Sequence, residues 1–528
     1  MFARLPSFGA WLMCAALPNM ARAESSAPRK PPTLHVGFDA WEDARQGFDL
    51  DAEGERADSE LVGSARLRTG FDARLGGPKL RLVGELDFFA RRLHGVPEAT
   101  GPVQVDPAVR TREPFHPFPL QLRRLYLDWT TWLGVVRLGT QTSQWGLGIL
   151  ANAGERDDRL FGEPTRGNVS QRLLFATSPF QAIGASPTSA LGRFTLLAAG
   201  DLVVADETAE LLDTRLAVED EAWQAVVSAF IRPRAFDTPA LRPRTDVSGG
   251  LYAARRWQTY AEGDTLDVWV VDGHLRLLQD WEGHNRIRYE MEFAQLFGET
   301  DRVRTEGGPR GVDVEGLGAA AELAWAFQIG ALPAEVQVTV GMASGDGDAD
   351  DSTLQRFAFH GDYDVGLVLF DHVVPALQLR ATESVDDPLR AKTPPTGFQY
   401  FPGRGGVSGA SYGALRFKIG PVNGLEAAAQ VLAASTTAPF VDPVRTFERG
   451  GAPTNPFGGP AEGNLGTEFD VAVRWRLPEV APETRPALRL AWGVLLPGTV
   501  LEGPGASLGT VHAAQLKLSV DSHLGGGM

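Results

Sequence analysis

The 528 residues are 43% hydrophobic, 9% aromatic and 22% charged, with 60 Gly and 36 Pro, which excludes a disordered chain. Lys and Arg number 50 against 66 Asp and Glu, a formal charge of −16, so a large basic surface for nucleic acid is not expected. The single cysteine, Cys14, leaves no internal disulfide and no thiolate metal site to stabilise a fold.

Residues 1–23 read as a secretory leader: Arg4 supplies the positive end, 8–17 the apolar core, and Ala21, Arg22 and Ala23 a small-x-small cleavage site. Cys14 lies inside it behind a bulky Met13, where a lipoprotein signal wants a small residue, so it is read as a leader cysteine without a role. Residues 24–32 form a short linker. Beyond the leader no apolar stretch approaches the ~20 residues of a membrane helix. A membrane-embedded chain would therefore have to be a closed β-barrel.

Period-2 alternation dominates the rest. In 66–75, Arg66, Arg68, Asp72 and Arg74 share one face with Gly70, and Leu67, Thr69, Phe71, Ala73 and Leu75 the other. Residues 79–88 set Lys79, Arg81, Glu85 and Asp87 against Leu80, Leu82, Leu86 and Phe88, with one lapse at Val83. Residues 286–293 oppose Arg286, Arg288, Glu290 and Glu292 to Ile287, Tyr289, Met291 and Phe293. Residues 468–477 oppose Glu468, Asp470, Arg474 and Arg476 to Phe469, Val471, Val473, Trp475 and Leu477. Similar runs surround Val36, Tyr126, Val136, Leu173, Leu196, Val226, Leu251, Val268, Leu277, Leu323, Val338, Val368, Leu415, Ala429, Leu490 and Leu516. The total is roughly 20 runs.

Tight Gly/Pro signals at 76–78 and 420–424 alternate with long polar stretches such as 95–119 and 441–464. Short turns on one rim and long loops on the other are the pattern of an outer-membrane barrel. The expected fold is all-β: one large antiparallel transmembrane β-barrel of about 18 strands (16 to 20) over 33–521, followed by a tail, 522–528. A soluble sheet would alternate in the same way with its apolar face turned inward. Trp129, Trp475 and Trp492 near strand ends favour the barrel, as an interfacial girdle.

In a barrel the charged faces line the lumen. The candidate pore-lining residues are Arg66, Arg68, Asp72, Arg74, Lys79, Arg81, Glu85, Asp87, Arg286, Arg288, Glu290, Glu292, Arg416, Lys418, Glu468, Asp470, Arg474 and Arg476. With Arg124, Arg489, Lys517, Asp128 and Glu426 added, cations outnumber anions on these faces although the whole chain is acidic. Such a wall would concentrate anions. The competing reading is that these charges pair across strands and hold the wall rigid.

Asp346, Asp348, Asp350 and Asp351, interleaved with Gly345 and Gly347, have the spacing of oxygen ligands for Ca²⁺, with a solvated acidic loop as the alternative. An EF-hand is ruled out, because its twelfth position, counted from Asp346, is Phe357. No other cofactor is expected. His-Glu-x-x-His and a phosphate-cradling Gly loop with Lys are missing, and His94, His116, His274, His284, His360 and His372 are scattered, so no enzyme is expected.

Three segments carry a family resemblance: Arg137 to Gly148 (RLGTQTSQWGLG), Ala343 to Asp348 (ASGDGD), and Leu465 to Asp470 (LGTEFD) with Trp492-Gly493 and Leu496-Pro497-Gly498 behind it. They resemble porin-like outer-membrane barrels of Gram-negative bacteria, in particular an alginate-export-like superfamily of delta-proteobacterial type. The chain departs from such barrels in ending on His523, Leu524, three glycines and Met528 rather than on an aromatic residue. The resemblance implies a porin-like channel, exported to the outer membrane, for passive diffusion of small or anionic hydrophilic solutes. Its partners would be outer-membrane lipid and lipopolysaccharide, the barrel-assembly machinery and the solutes themselves. A surface-binding or structural barrel with a blocked lumen is the alternative, and a barrel enzyme a further one.

Overall fold

The computed structural model describes residues 32–75, 77, 79–94, 120–155, 160–162, 167–205, 221–234, 244–260, 263–281, 285–304, 310–348, 351–386, 406–481 and 483–524. The leader and the stretch 95–119 lie outside the described residues. An 18-strand antiparallel sheet closes on itself. In chain order its strands are β1 (Thr33–Arg45), β2 (Glu60–Arg74), β3 (Leu80–His94), β4 (Leu120–Thr130), β5 (Val135–Thr142) and β6 (Val169–Thr177). Then come β7 (Phe194–Ala205), β8 (Glu221–Ile231), β9 (Arg244–Thr259), β10 (Thr265–Asp280), β11 (Arg286–Arg304) and β12 (Arg310–Ile329). The last are β13 (Leu332–Ala343), β14 (Ala410–Val422), β15 (Leu425–Thr436), β16 (Asn464–Arg476), β17 (Thr484–Pro497) and β18 (Val511–Leu524). Each strand pairs with the next, and β1 pairs with β18 from Leu34↔Leu524 to Arg45↔Ala513, so no edge is left open.

The alternation read from the sequence decides which side faces out. In β16, Glu468, Asp470, Ala472 and Arg474 are buried, whereas Phe469, Val471, Val473 and Trp475 are exposed. The same polarity holds in β11, where Glu292 and Ala294 are buried and Met291 and Phe293 exposed. A soluble sheet would hide those apolar rows; a barrel in lipid displays them. Tryptophans mark both limits of the apolar band. Trp129, Trp281, Trp325 and Trp475 lie at the short-turn ends of their strands or just beyond, and Trp223, Trp257, Trp269 and Trp492 lie toward the long-loop ends. Trp269 and Trp281 bracket β10. At a rise of ~3.4 Å per residue and a tilt near 45°, that separation corresponds to roughly 28 Å along the barrel axis, close to the ~25 Å apolar band of outer-membrane barrels.

Turn chemistry fixes the short rim. Val422 pairs with Leu425 around Asn423 (φ 50°) and Gly424 (φ 84°), the left-handed pair that a two-residue hairpin requires. The long rim carries the connections 46–59, 143–168, 344–409 and 437–463.

Three expectations are corrected. The runs at Val268 and Leu277 are one strand, β10. The run at Val368 is not a strand: it leads into a π turn, Leu369–Val373, and then helix α1, Val374–Asp386. Residues 365–370 are apolar almost without interruption and buried throughout. Such a run does not distinguish a strand from a segment surrounded on all sides. The last strand passes the boundary set at 521 and reaches Leu524, because its end pairs with Leu34, His35, Val36 and Gly37 of β1. Among the described residues no helix is long and apolar enough to cross a membrane.

The main apolar cluster lies inside the barrel. Leu147, Ile149, Phe161, Phe357, Phe359, Tyr363, Leu369, Phe370, Leu377 and Phe457 come from the connections of the long rim. They pack on inward alanines of the wall: Ala294, Ala320, Ala414, Ala428, Ala472, Ala491 and Ala513. A wall position with only a Cβ leaves room for a loop to approach, and here the second half of the barrel supplies a row of them.

Candidate functional site: the barrel lumen

Around β1 to β7 the wall is a ladder of ion pairs set by strand register. Asp39 stands opposite Arg66 and accepts from it at 2.6 Å. Arg68 is opposite Asp87 and donates twice, at 2.7 and 2.8 Å. Arg137 and Asp128, and Arg172 and Asp201, repeat the bidentate arrangement one pair of strands at a time. Arg81 reaches diagonally to Asp72 at 2.8 and 2.6 Å. Planar guanidinium and carboxylate groups match in this geometry, and directly opposite positions bring them together without strain.

A bulge adds a residue that alternation missed. Leu122 and Leu125 both face out, so the two residues between them, Arg123 and Arg124, both face in, and the register shifts at Glu85. Arg123 is 2% exposed. Its Nε donates to Glu85 at 2.9 Å and its Nη2 to the Ala153 carbonyl at 2.6 Å. Arg124 meets Glu155 and Thr142. The spacing of the two leucines was the available signal, since strict period 2 cannot place both outward.

The other half of the lumen is occupied by two long-rim connections, each fastened to a wall carboxylate. Glu468 accepts the backbone N–H groups of Leu367, Val368 and Leu369 at 2.6, 2.9 and 2.7 Å. Glu292 accepts the Gly148 N–H at 2.9 Å, and Asp272 accepts the Trp145 Nε1–H at 2.9 Å. Glycines make these approaches feasible: a Cβ at Gly366 would lie 2.5 Å from Glu468 Oε1, and one at Gly146 2.5 Å from Glu292 Oε2. The two connections also join each other, Gly167 N–H donating to Asp362 and His360 N–H to the Ile149 carbonyl. Gln430 donates to the Val365 carbonyl at 2.7 Å and to Asp470 at 3.1 Å.

At the long rim, α1 presents Arg380 to three carboxylates: Asp51 and Glu55 from the first connection and Asp442 from 437–463. One guanidinium thereby ties three connections together. His372, buried beside Phe48, has Nε2 3.2 Å from the Gln46 carbonyl. Burial, reinforced by Arg45, pushes the His372 imidazole down to about 3, so the ring is neutral and donates that bond.

Most candidate lining residues do face the lumen. Besides those above, Arg288 lies 3.6 Å from Glu322, Glu290 3.2 Å from Arg276, Lys418 3.1 Å from Glu335, and Arg476 3.4 Å from Glu426. Arg474 bonds Glu426, and Arg416 donates to Gln430 and lies over the Phe161 ring at 5.1 Å. Arg74, Lys79 and Arg286 are instead exposed at the short rim, where the strands end, and Arg286 meets Asp280 there. Asp39, Asp43, Asp201, Asp272 and Glu322 are inward acids outside the sequence tally, and Arg45, Arg123, Arg137, Arg172 and Arg276 are inward cations outside it, so the missed charges offset one another.

In the acidic loop, Asp346 accepts the Asp348 N–H at 3.3 Å and Asp351 the Thr353 N–H at 2.7 Å. Asp350 lies outside the described residues. Among the described residues no three carboxylate or imidazole groups are gathered for a metal ion. Burial, with Asp351 and Asp348 adding repulsion, pushes Asp346 up to about 7.

Fold and site together define a transmembrane-type β-barrel, apolar outside, charged along one inner wall and filled by its own loops along the other. No family profile and no curated protein matches the chain. It is similar to solved structures of OccK2 (OpdF) from Pseudomonas aeruginosa, with 10% identity, 94% of this chain and 98% of that one covered, and a TM-score of 0.49. OccAB1 from Acinetobacter baumannii has 10% identity, 93% and 97% coverage and a TM-score of 0.47. The outer membrane protein OprD from Pseudomonas aeruginosa has 10% identity, 94% and 96% coverage and a TM-score of 0.46. These likenesses give no support to the alginate-export-like part of the resemblance. The fold stands on the strand pairing above, independently of them.

Proposed function

We propose that the chain is an outer-membrane channel through which small hydrophilic solutes diffuse along the charged wall of β1 to β7. The observation that carries this reading is the division of the interior. One side is packed with Phe, Leu and Val on alanine, and the other is lined by cross-strand pairs of guanidinium and carboxylate groups. No bond is made or broken. The constriction is set by the loops that Glu468 and Glu292 hold, and the charged side chains act by replacing hydration of a polar solute as it passes. Short connections at one rim put that rim in the periplasm and the long ones outside the cell.

Because cross-strand pairing balances the wall, selectivity for anions is expected to be weak. Proteoliposome swelling tests the reading: small sugars and small carboxylates should both enter, the carboxylates modestly faster. Liposomes that hold the folded barrel yet admit neither would refute it. The apolar packing inside β11 to β18 supports a second reading, a barrel closed by its own loops that serves as a binding or structural element; impermeable liposomes would favour that one.

A further inference from the structure

The shortest walls of the barrel are β5, of 8 residues, and β6, of 9. At ~3.4 Å per residue and a tilt near 45°, β5 spans roughly 19 Å along the axis, short of the ~25 Å apolar band. The outer faces of this sector are nonetheless apolar, with Trp129, Leu138, Leu173, Phe175 and Leu196 exposed. The apolar surface does not stop where the strands do. In the turn between β4 and β5, Trp132 is 80% exposed and Leu133 46%. In the connection between β6 and β7, Ile183 is 82% and Leu191 61% exposed.

Several polar groups of these two turns are bonded within the turns, although Gln181 Oε1 is not. Thr131 Oγ1 donates to the Gly134 carbonyl at 2.9 Å. Gln181 Nε2 donates to the Gly192 carbonyl at 2.6 Å, and Ser189 Oγ accepts the Gly192 N–H at 3.0 Å while donating to the Ser186 carbonyl at 2.7 Å. Phe180 packs on Phe194, with ring centroids 5.6 Å apart. Thr177 Oγ1 joins the second turn to the first through the Leu133 carbonyl. A turn that bonds its own polar groups and presents large apolar side chains has the composition lipid tolerates and water penalises.

We propose that the turns at 131–134 and 178–193 are a lipid anchor: Trp132, Leu133, Ile183 and Leu191 are seated at the acyl–headgroup boundary of the short-turn leaflet and extend the apolar exterior of β4 to β7 past the strand ends. The proposal rests on the membrane reading above. Lipid is the occupant because the patch continues the outward apolar faces of β4 to β7 strand by strand.

The test uses the full chain carrying Cys14→Ser, refolded into phospholipid vesicles, with a nitroxide label at Ile183→Cys, at Leu191→Cys or, as a wall control, at Leu173→Cys. Collision with oxygen and with a water-soluble nickel chelate is measured by power saturation. Labels at 183 and 191 should favour oxygen several-fold, as the label at 173 does. Nickel-accessible labels at 183 and 191 beside an oxygen-accessible 173 would overturn the anchor alone. A nickel-accessible 173 would instead overturn the membrane reading. Low access to both reagents at 183 and 191, relieved by diluting the protein in lipid, would show a second copy on the patch and overturn lipid as its occupant.

Discussion

The walls of β1 to β7 and of β11 to β18 obey the same alternation and carry the same apolar exterior, yet their inner faces differ. The first wall turns arginines and carboxylates inward, and each pair is completed by a neighbouring strand. The second also carries inward ion pairs, such as Arg288 with Glu322 and Arg474 with Glu426, but adds a row of alanines on which loops that fold back into the barrel pack. Backbone pairing therefore makes the cylinder, while side-chain size on the inner face decides whether the wall is completed chiefly by cross-strand ion pairs or by loops packed against it.

The sharpest way to break the second wall is to remove its latch. Glu468→Ala leaves three N–H groups without their acceptor, which should cost roughly 3 to 5 kcal/mol. Single-channel current should then rise several-fold and become noisy while heat-modifiable migration on a gel persists. The first wall breaks differently. Arg68→Ala leaves Asp87, 1% exposed, without its bidentate partner, a loss of about 3 kcal/mol visible in urea unfolding. Open-channel noise should stay low, because the loops are held elsewhere.

His372 tests the plug through pH. Its imidazole stays neutral in the fold to about 3, whereas the unfolded chain takes up a proton near 6.5, so stability falls as pH drops through that interval. His372→Gln, which keeps a donor for the Gln46 carbonyl, should flatten the acid side of the unfolding profile by on the order of 1 kcal/mol. The smallest effect is expected outside both walls. Asp346 keeps its proton to about 7, so the stability that protonation provides is present at lower pH and lost as pH rises through 7. Asp346→Asn should be neutral near pH 3, slightly stabilising at pH 5 and stabilising by up to ~1 kcal/mol at pH 8, the gain being limited by solvent screening.

Much of the barrel was legible in the sequence because strand alternation is a local property. Of the runs identified, Val268 and Leu277 merge and Val368 drops out, and what remains is the set of eighteen strands. The polarity of the charged faces was legible for the same reason, from Arg66 to Arg476. The plug was not. Its residues 354–379 carry an apolar run whose surroundings come from strands far along the chain, and the alanines that receive it are unremarkable one at a time. Arg123 was hidden by a bulge, and the partners of the wall arginines by a register that only the closed sheet defines. In the acidic loop Asp346 and Asp351 accept neighbouring backbone N–H groups, a local role that their spacing alone did not show.

Single-channel current of the refolded chain in a planar bilayer tests the central claim most directly. An open path beside the charged wall predicts stable, uniform current steps, with a reversal potential near zero or slightly anion-favouring in a salt gradient. Persistent silence from protein that shows heat-modifiable migration would mean that the loops close the lumen completely, and would contradict the account.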